Sequence, residues 1–161
     1  MKLDKTDKKI LDTLQENAKI TNAQLAADAG ISPPGMIERV KRLENGGVIK
    51  KYVALVNPSA VGKGTLAIVN VSLAAHHLAS IDSFDEKINK MEEVLECYHV
   101  AGDDDFLLKI IVEDINSYEK FLLEKLTKIE GVSKIKTTFV LSTVKYNTKI
   151  HFNINQKNSN T

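Results

Sequence analysis

Two short stretches of this 161-residue chain concentrate side chains with chemistry to offer. The first runs from Ser32-Pro33-Pro34-Gly35 through Glu38-Arg39-Val40-Lys41-Arg42 to Leu43-Glu44. Arg39 and Arg42 carry planar guanidinium forks suited to guanine edges or phosphates. Lys41, with Lys50 and Lys51 just beyond, suits contacts to a nucleic-acid backbone. Ser32 is placed to cap a helix and Pro33 to open it. The free N–H groups and positive dipole of that helix start favour a phosphate. Taken alone, the stretch reads equally well as a solvated helix face.

The second stretch is Gly102-Asp103-Asp104-Asp105, between two apolar runs. Its plainest reading is a hairpin turn, because Gly and Asp tolerate turn backbones. Adjacent carboxylates also suit a hard cation. Successive residues cannot all face one ion, however, and no Asp-x-Asp-x-Asp-Gly loop follows. As a ligand site, Gly102 would let a molecule approach the backbone, and an Asp at a strand start would receive an ammonium group. His76-His77 reads as a solvated loop. Cys97 and His99 share a strand face, with no nucleophile-and-base order around them. Cys97 fits a small core or interface residue. There is no phosphate-binding Gly loop, catalytic triad or carboxylate pair. The expectation is no enzyme, no metal and no cofactor.

The elements that must position these residues follow from periodicity. Ile10, Leu11 and Leu14, with Leu3 a turn earlier, predict an amphipathic helix over 4–17. Thr21 and Gln24 form a capping-box pattern that opens a helix over 22–29, with Gly30 as its stop. The third helix runs from Ser32-Pro33 to about Glu44, with Met36, Ile37, Val40 and Leu43 assigned to its inner face. Helix, helix, glycine turn and helix make a helix-turn-helix pattern. Residues 48–56 read as a wing strand, and Asn57-Pro58 breaks it.

Beyond a linker over 57–64, strands are expected at 65–75, 94–100 and 106–112, with one or two more over 132–150. Helices are expected at 80–91 and 116–129, the latter stopped by Gly131. The order β-α-β-β-α-β is that of a ferredoxin-like split βαβ arrangement. The fold class is therefore α+β. A helix-turn-helix domain over 1–56 precedes a domain over 65–152, and a tail over 153–161 has a disordered composition.

Charge supports the division. The net charge is only +1, from 22 basic and 21 acidic side chains. Residues 1–56 nevertheless hold 10 basic and 7 acidic groups, and the remainder 12 and 14. A basic front is joined to an acidic back. The single cysteine excludes an internal disulfide. The N-terminus lacks a signal-peptide pattern, and no apolar run is long enough to span a bilayer. A cytoplasmic protein is expected.

Ile31-Ser32-Pro33, Ile37-Glu38-Arg39-Val40-Lys41-Arg42-Leu43-Glu44, Gly47-Val48-Ile49 and Tyr52 resemble the helix-turn-helix of the Lrp/AsnC (feast/famine) transcription regulators. The run from Glu96 through Gly102-Asp103-Asp104-Asp105 to Lys109 resembles the hallmark turn of their effector domain, and Gly131-Val132 fits too. The resemblance covers roughly 3–150. It implies a sequence-specific DNA-binding regulator of amino-acid metabolism, associated with the nucleoid. DNA contacts would fall to Ser32, Pro33, Arg39, Lys41, Arg42 and Lys50. It also implies homodimers paired through the wing strand and the effector-domain sheets, assembling into tetramers or octamers.

An amino-acid effector would lie between dimers, beside Gly102, Asp103 and Asp105 and the segment Thr138, Phe139 and Val140, with Tyr98 and His99 nearby. Two departures stand out. Asp104 adds a third acid to the turn, and Thr138 stands where the leucine-sensing type has a tyrosine, so leucine is not assumed. Two other readings of the residues remain: a metabolite-binding or interaction module, and a metal-dependent hydrolase on a ferredoxin-like fold.

Overall fold

A computed structural model describes residues 2–74 and 78–152. His76, His77 and the tail from 153 lie outside the described residues. The chain divides into two units, one holding residues 2–54 together with 145–152, the other Leu55–Val144.

In the first unit, α1 (Lys5–Glu16), α2 (Asn22–Ala29) and α3 (Pro33–Asn45) follow in order. Each start carries a side-chain cap. Asp4 and Asp7 form a reciprocal capping box on α1, and Thr21 and Gln24 form one on α2. The Ser32 hydroxyl accepts from the Gly35 N–H at 3.3 Å on α3. Gly30, at φ 69°, lets the chain leave α2 in a left-handed turn that a side chain would strain. The three helices bury Ile10, Leu11, Leu25, Ala26, Met36, Val40 and Leu43.

Three expectations for this unit change. Ile37 is not in the core: it is 40% exposed, on the outer side of α3. Residues 48–56 form no strand, because a strand needs a ladder and this segment pairs with none among the described residues. Ile49 packs against the helical core, and the Tyr52 hydroxyl donates to Glu44 Oε1 at 2.9 Å. Burial and that bond push the Tyr52 phenol up to about 12. The third change is at the other end of the chain. Residues 145–152 are not part of the sheet domain. Lys149 pairs with Asp12 at 2.8 Å and with Glu16. The Gln15 side-chain amide brackets the Ile150 backbone, donating to its C=O at 3.0 Å and accepting from its N–H at 2.7 Å. Phe152 packs against the helical core.

In the second unit, a 3-10 turn at Pro58–Val61 leads to β1 (Thr65–Leu73), α4 (Leu78–Ile88), β2 (Val94–His99), β3 (Phe106–Val112), α5 (Ile115–Glu124) and β4 (Val132–Phe139). The sheet order is β2-β3-β1-β4, with every neighbouring pair antiparallel. That is the expected ferredoxin-like arrangement. Alternation along β1 and β3 sends Ala67, Val69, Val71, Leu73, Phe106, Leu108, Ile110 and Val112 into one core, joined by Phe84, Ile88, Tyr118 and Phe121 from the helices. Helix α5 ends at Glu124, sooner than expected, and a 3-10 turn at Leu126–Lys128 carries Leu126 and Ile129 inward. Strand β4 ends at Phe139, so 140–150 is not a strand.

Candidate functional site

The basic stretch of α3 is built differently from a simple row of free cations. Asp7, in the first turn of α1, is 1% exposed. Its Oδ1 accepts from Arg39 NH1 at 2.8 Å and from Arg42 NH2 at 2.7 Å. Arg39 NH1 also reaches Asp4 Oδ2 at 2.7 Å. The Asp7 N–H and then Arg39 hold the Asp4 carboxyl below its ordinary range. A buried carboxylate needs such partners, since an unpaired one would be expensive to desolvate. Two arginines that the sequence offered to DNA therefore brace α3 against α1. Arg39 is the more enclosed, at 29% side-chain exposure against 50% for Arg42. Sequence reasoning missed Asp4 and Asp7 as their partners. The signal lay in two acids at the start of α1, which reads first as a capping box.

What α3 leaves open is a separate stripe. Pro33, Ile37 and Lys41 follow one turn apart, and all are exposed. Pro34, Glu38 and Asn45 flank them. Ser32 and Lys50 are exposed as well. Among the described residues, neither Lys41 nor Glu38 makes an ion pair.

The acidic turn of the second unit is stitched to the end of β1. Asp105 donates its N–H to Val71 O at 3.0 Å and accepts from Val100 N–H at 2.8 Å. Its carboxylate accepts from the Leu73 N–H at 2.7 Å. That N–H falls where the β1–β4 register shifts, between Ser72 and Leu73. The carboxylate thus satisfies a donor at a bulge. Asp104 accepts from Asn70 Nδ2 and Ser72 Oγ, both at 2.9 Å, and from Lys134 Nζ at 3.1 Å. These bonds, Asn70 first and then Lys134, keep its carboxyl below the usual range. Asp103 is exposed. The three acids diverge, and among the described residues no group of three His, Cys, Asp or Glu is placed to hold a metal ion.

Gly102 does not take a left-handed conformation, and nothing within 4 Å would meet an added Cβ. The turn itself therefore does not require a glycine, contrary to the expectation that Gly102 serves the turn backbone. Asn70, Ser72 and Lys134 were not singled out in the sequence. Their signal is the polar end of an alternating strand, where Asn70 and Ser72 occupy the face away from the helices.

The other expected ligand residues separate. Tyr98 is on the open face, where its hydroxyl donates to Glu96 at 2.8 Å and Lys109 completes the group at 2.8 Å. His99 is on the opposite face, stacked on Phe106 with centroids 5.0 Å apart. With Cys97, Asp85, Ile88, Asn89 and Phe106 it lines a cavity of about 170 Å³. Burial, helped by Asp85, pushes the Cys97 thiol up to about 11, so it is a poor nucleophile near neutrality. Thr138 pairs across from Ile68 on the open face. Phe139 turns to the helix face, edge-on to Tyr118 at 5.1 Å. Val140 donates its N–H to Leu66 O at 2.9 Å. Lys134 beside the turn and Thr138 are four residues apart on β4, roughly 13 Å along a strand. One chain does not bring 102–105 and 138–140 together.

A three-helix unit with a capped, partly basic third helix, joined to a ferredoxin-like unit with an open sheet face, defines a class of regulator: a DNA reader coupled to a sensor. Comparison with known proteins agrees. Residues 3–50 match the winged helix-turn-helix DNA-binding family, and residues 66–150 match the Lrp/AsnC ligand binding domain. The chain is 38% identical over 143 residues to the transcriptional regulator AzlB of Bacillus subtilis (strain 168), covering 89% of this chain and 91% of that protein. It is 37% identical over 148 residues to the leucine-responsive regulatory protein of Escherichia coli (strain K12), covering 92% and 90%. A transcriptional regulator from Neisseria meningitidis, solved in complex with L-Met, superposes with a TM-score of 0.89 at 36% identity, covering 94% of this chain and 98% of that one.

The chain belongs to the Lrp/AsnC family of DNA-binding transcriptional regulators. No helix among the described residues is long and apolar enough to cross a membrane. The hydrolase and free-standing binding-module readings are not favoured.

Proposed function

We propose that this regulator reads operator half-sites with the exposed stripe of α3 and responds to a small amino acid at the Gly102 turn. On the DNA side, Ser32, Pro33 and the capped start of α3 meet a phosphate, and Lys41 and Lys50 meet others. Arg42 gives its Nη2 to both Asp7 oxygens, keeps its other donors and joins them. Arg39 is chiefly a brace that fixes the angle of α3.

On the effector side, the observation that carries the reading is Gly102. Its backbone is ordinary and its Cβ position is open, so what it spares is room for something outside this chain. An amino acid would present its ammonium group to Asp103 and lay its backbone atoms along the turn. Thr138 and Val140 would come from a second copy, since one chain holds them too far off. Effector and assembly are then linked: a ligand that bridges copies favours the assembled state. The protein works as homodimers assembled into larger rings, in the cytoplasm, on genes of amino-acid metabolism.

The test is the mass of the purified protein, with and without each of the twenty amino acids, beside calorimetric titration. One or a few amino acids are expected to bind and shift the mass, and Gly102→Val to abolish both effects while the far-UV spectrum stays unchanged. Binding that survives Gly102→Val unaltered would remove the turn from the site.

A further inference from the structure

Helix α3 carries an apolar side chain where its architecture does not need one. Met36, Val40 and Leu43 fill the core with 0–7% exposure, while Ile37 is 40% exposed in the middle of the outer stripe. It lies one turn after Pro33 and one turn before Lys41. The arginines do not occupy this position: Arg39 and Arg42 are drawn to the α1 side by Asp4 and Asp7. The centre of the stripe is therefore apolar, with a carboxylate (Glu38) beside it and one cation (Lys41) below.

A groove floor matched to that pattern is not guanine-rich. Guanine presents two acceptors and calls for a forked donor. An isoleucine suits the C5-methyl group of thymine, the one apolar feature on the major-groove edge of the bases. Its β-branched side chain is stiff, so little rotamer freedom is lost on contact.

Resting on the α3 reading above, we infer that Ile37 is a specificity determinant that reads a thymine methyl group in each half-site. Lys41 fixes the register on the backbone, and Glu38 discourages a phosphate from taking the same place. Specificity at this position comes from shape and apolar contact, with the arginines acting from the side.

Deoxyuridine tests this directly, because it pairs like thymidine and lacks only the methyl group. Duplexes bound by the full-length protein are first selected from random-sequence DNA. Each thymine is then replaced singly by deoxyuridine. For the wild type, one thymine in each half-site should lose about fourfold in affinity on replacement, the scale of one buried methyl. Ile37→Ala should bind the thymine duplex about as weakly as the wild type binds the uracil duplex, and be indifferent to the methyl at that position only. Ile37→Val should keep the dependence.

If no thymine methyl matters to the wild type, or if Ile37→Ala keeps the same dependence, the inference fails while the α3 reading stands. A change in the mass of the assembly on Ile37→Ala, with no change in methyl dependence, would place Ile37 in a protein interface and overturn the inference. If no duplex is retained at all, the α3 reading fails with it.

Discussion

Asp7 accepts from the Asp4 backbone at 3.1 Å as half of a capping box and holds two arginines of another helix. Its removal should therefore cost more than a cap alone. Asp7→Ala is expected to lower the unfolding free energy of the helical unit by about 2–3 kcal/mol, and Asp7→Asn by about half that, since asparagine keeps an acceptor. Urea denaturation followed by circular dichroism measures both. A negligible cost for Asp7→Asn would mean that the charge does not matter. At this scale the sequence was only partly legible. It showed which residue types cluster, but not whom they bond. Arg39 and Arg42 looked like free donors because their carboxylate partners lie more than thirty residues away, and adjacent Tyr98 and His99 part because successive strand residues face opposite sides.

Among the elements, the caps made helix starts readable. Thr21 with Gln24, and Ser32 with Pro33, place α2 and α3 at their observed first residues. Core strands were equally plain: β3 occupies 106–112 as expected, because alternation with burial on one face leaves a clear pattern. The failures share one physical cause. Residues 48–56 and 140–150 have strand-like composition, yet a strand exists only where a partner supplies a ladder, and composition cannot show that. The segment 145–152 turns instead to α1. Lys149→Ala combined with Phe152→Ala should raise hydrogen exchange of α1 amides by about 5–30-fold, the equivalent of about 1–2 kcal/mol of local stability. Amides of β1 and β3 should not change. Unaltered α1 exchange would show that the segment contributes no stability there.

For the whole molecule, a net charge of +1 hid a division of labour, and the exposed apolar residues show a second one. Val53, Leu55 and Val56 are 57–62% exposed in a segment without a ladder. In the proposed assembly another copy would cover them. Val53→Asp with Leu55→Asp is expected to weaken dimerisation at least about a hundredfold, as two apolar side chains are exchanged for buried charges. Sedimentation at micromolar concentration should then find monomer; an unchanged dimer would put the interface elsewhere.

The return of 145–152 to the helical unit also bears on how the protein is made. The helices that read DNA are synthesised early, but the segment that clasps α1 follows only after the 90 residues of Leu55–Val144. At ribosomal rates of about 5–20 residues per second, that delay is about 5–20 s. A nascent chain thus carries an unclasped reader until the sensor has been made, and the DNA-binding unit, first to emerge, is the last to be finished.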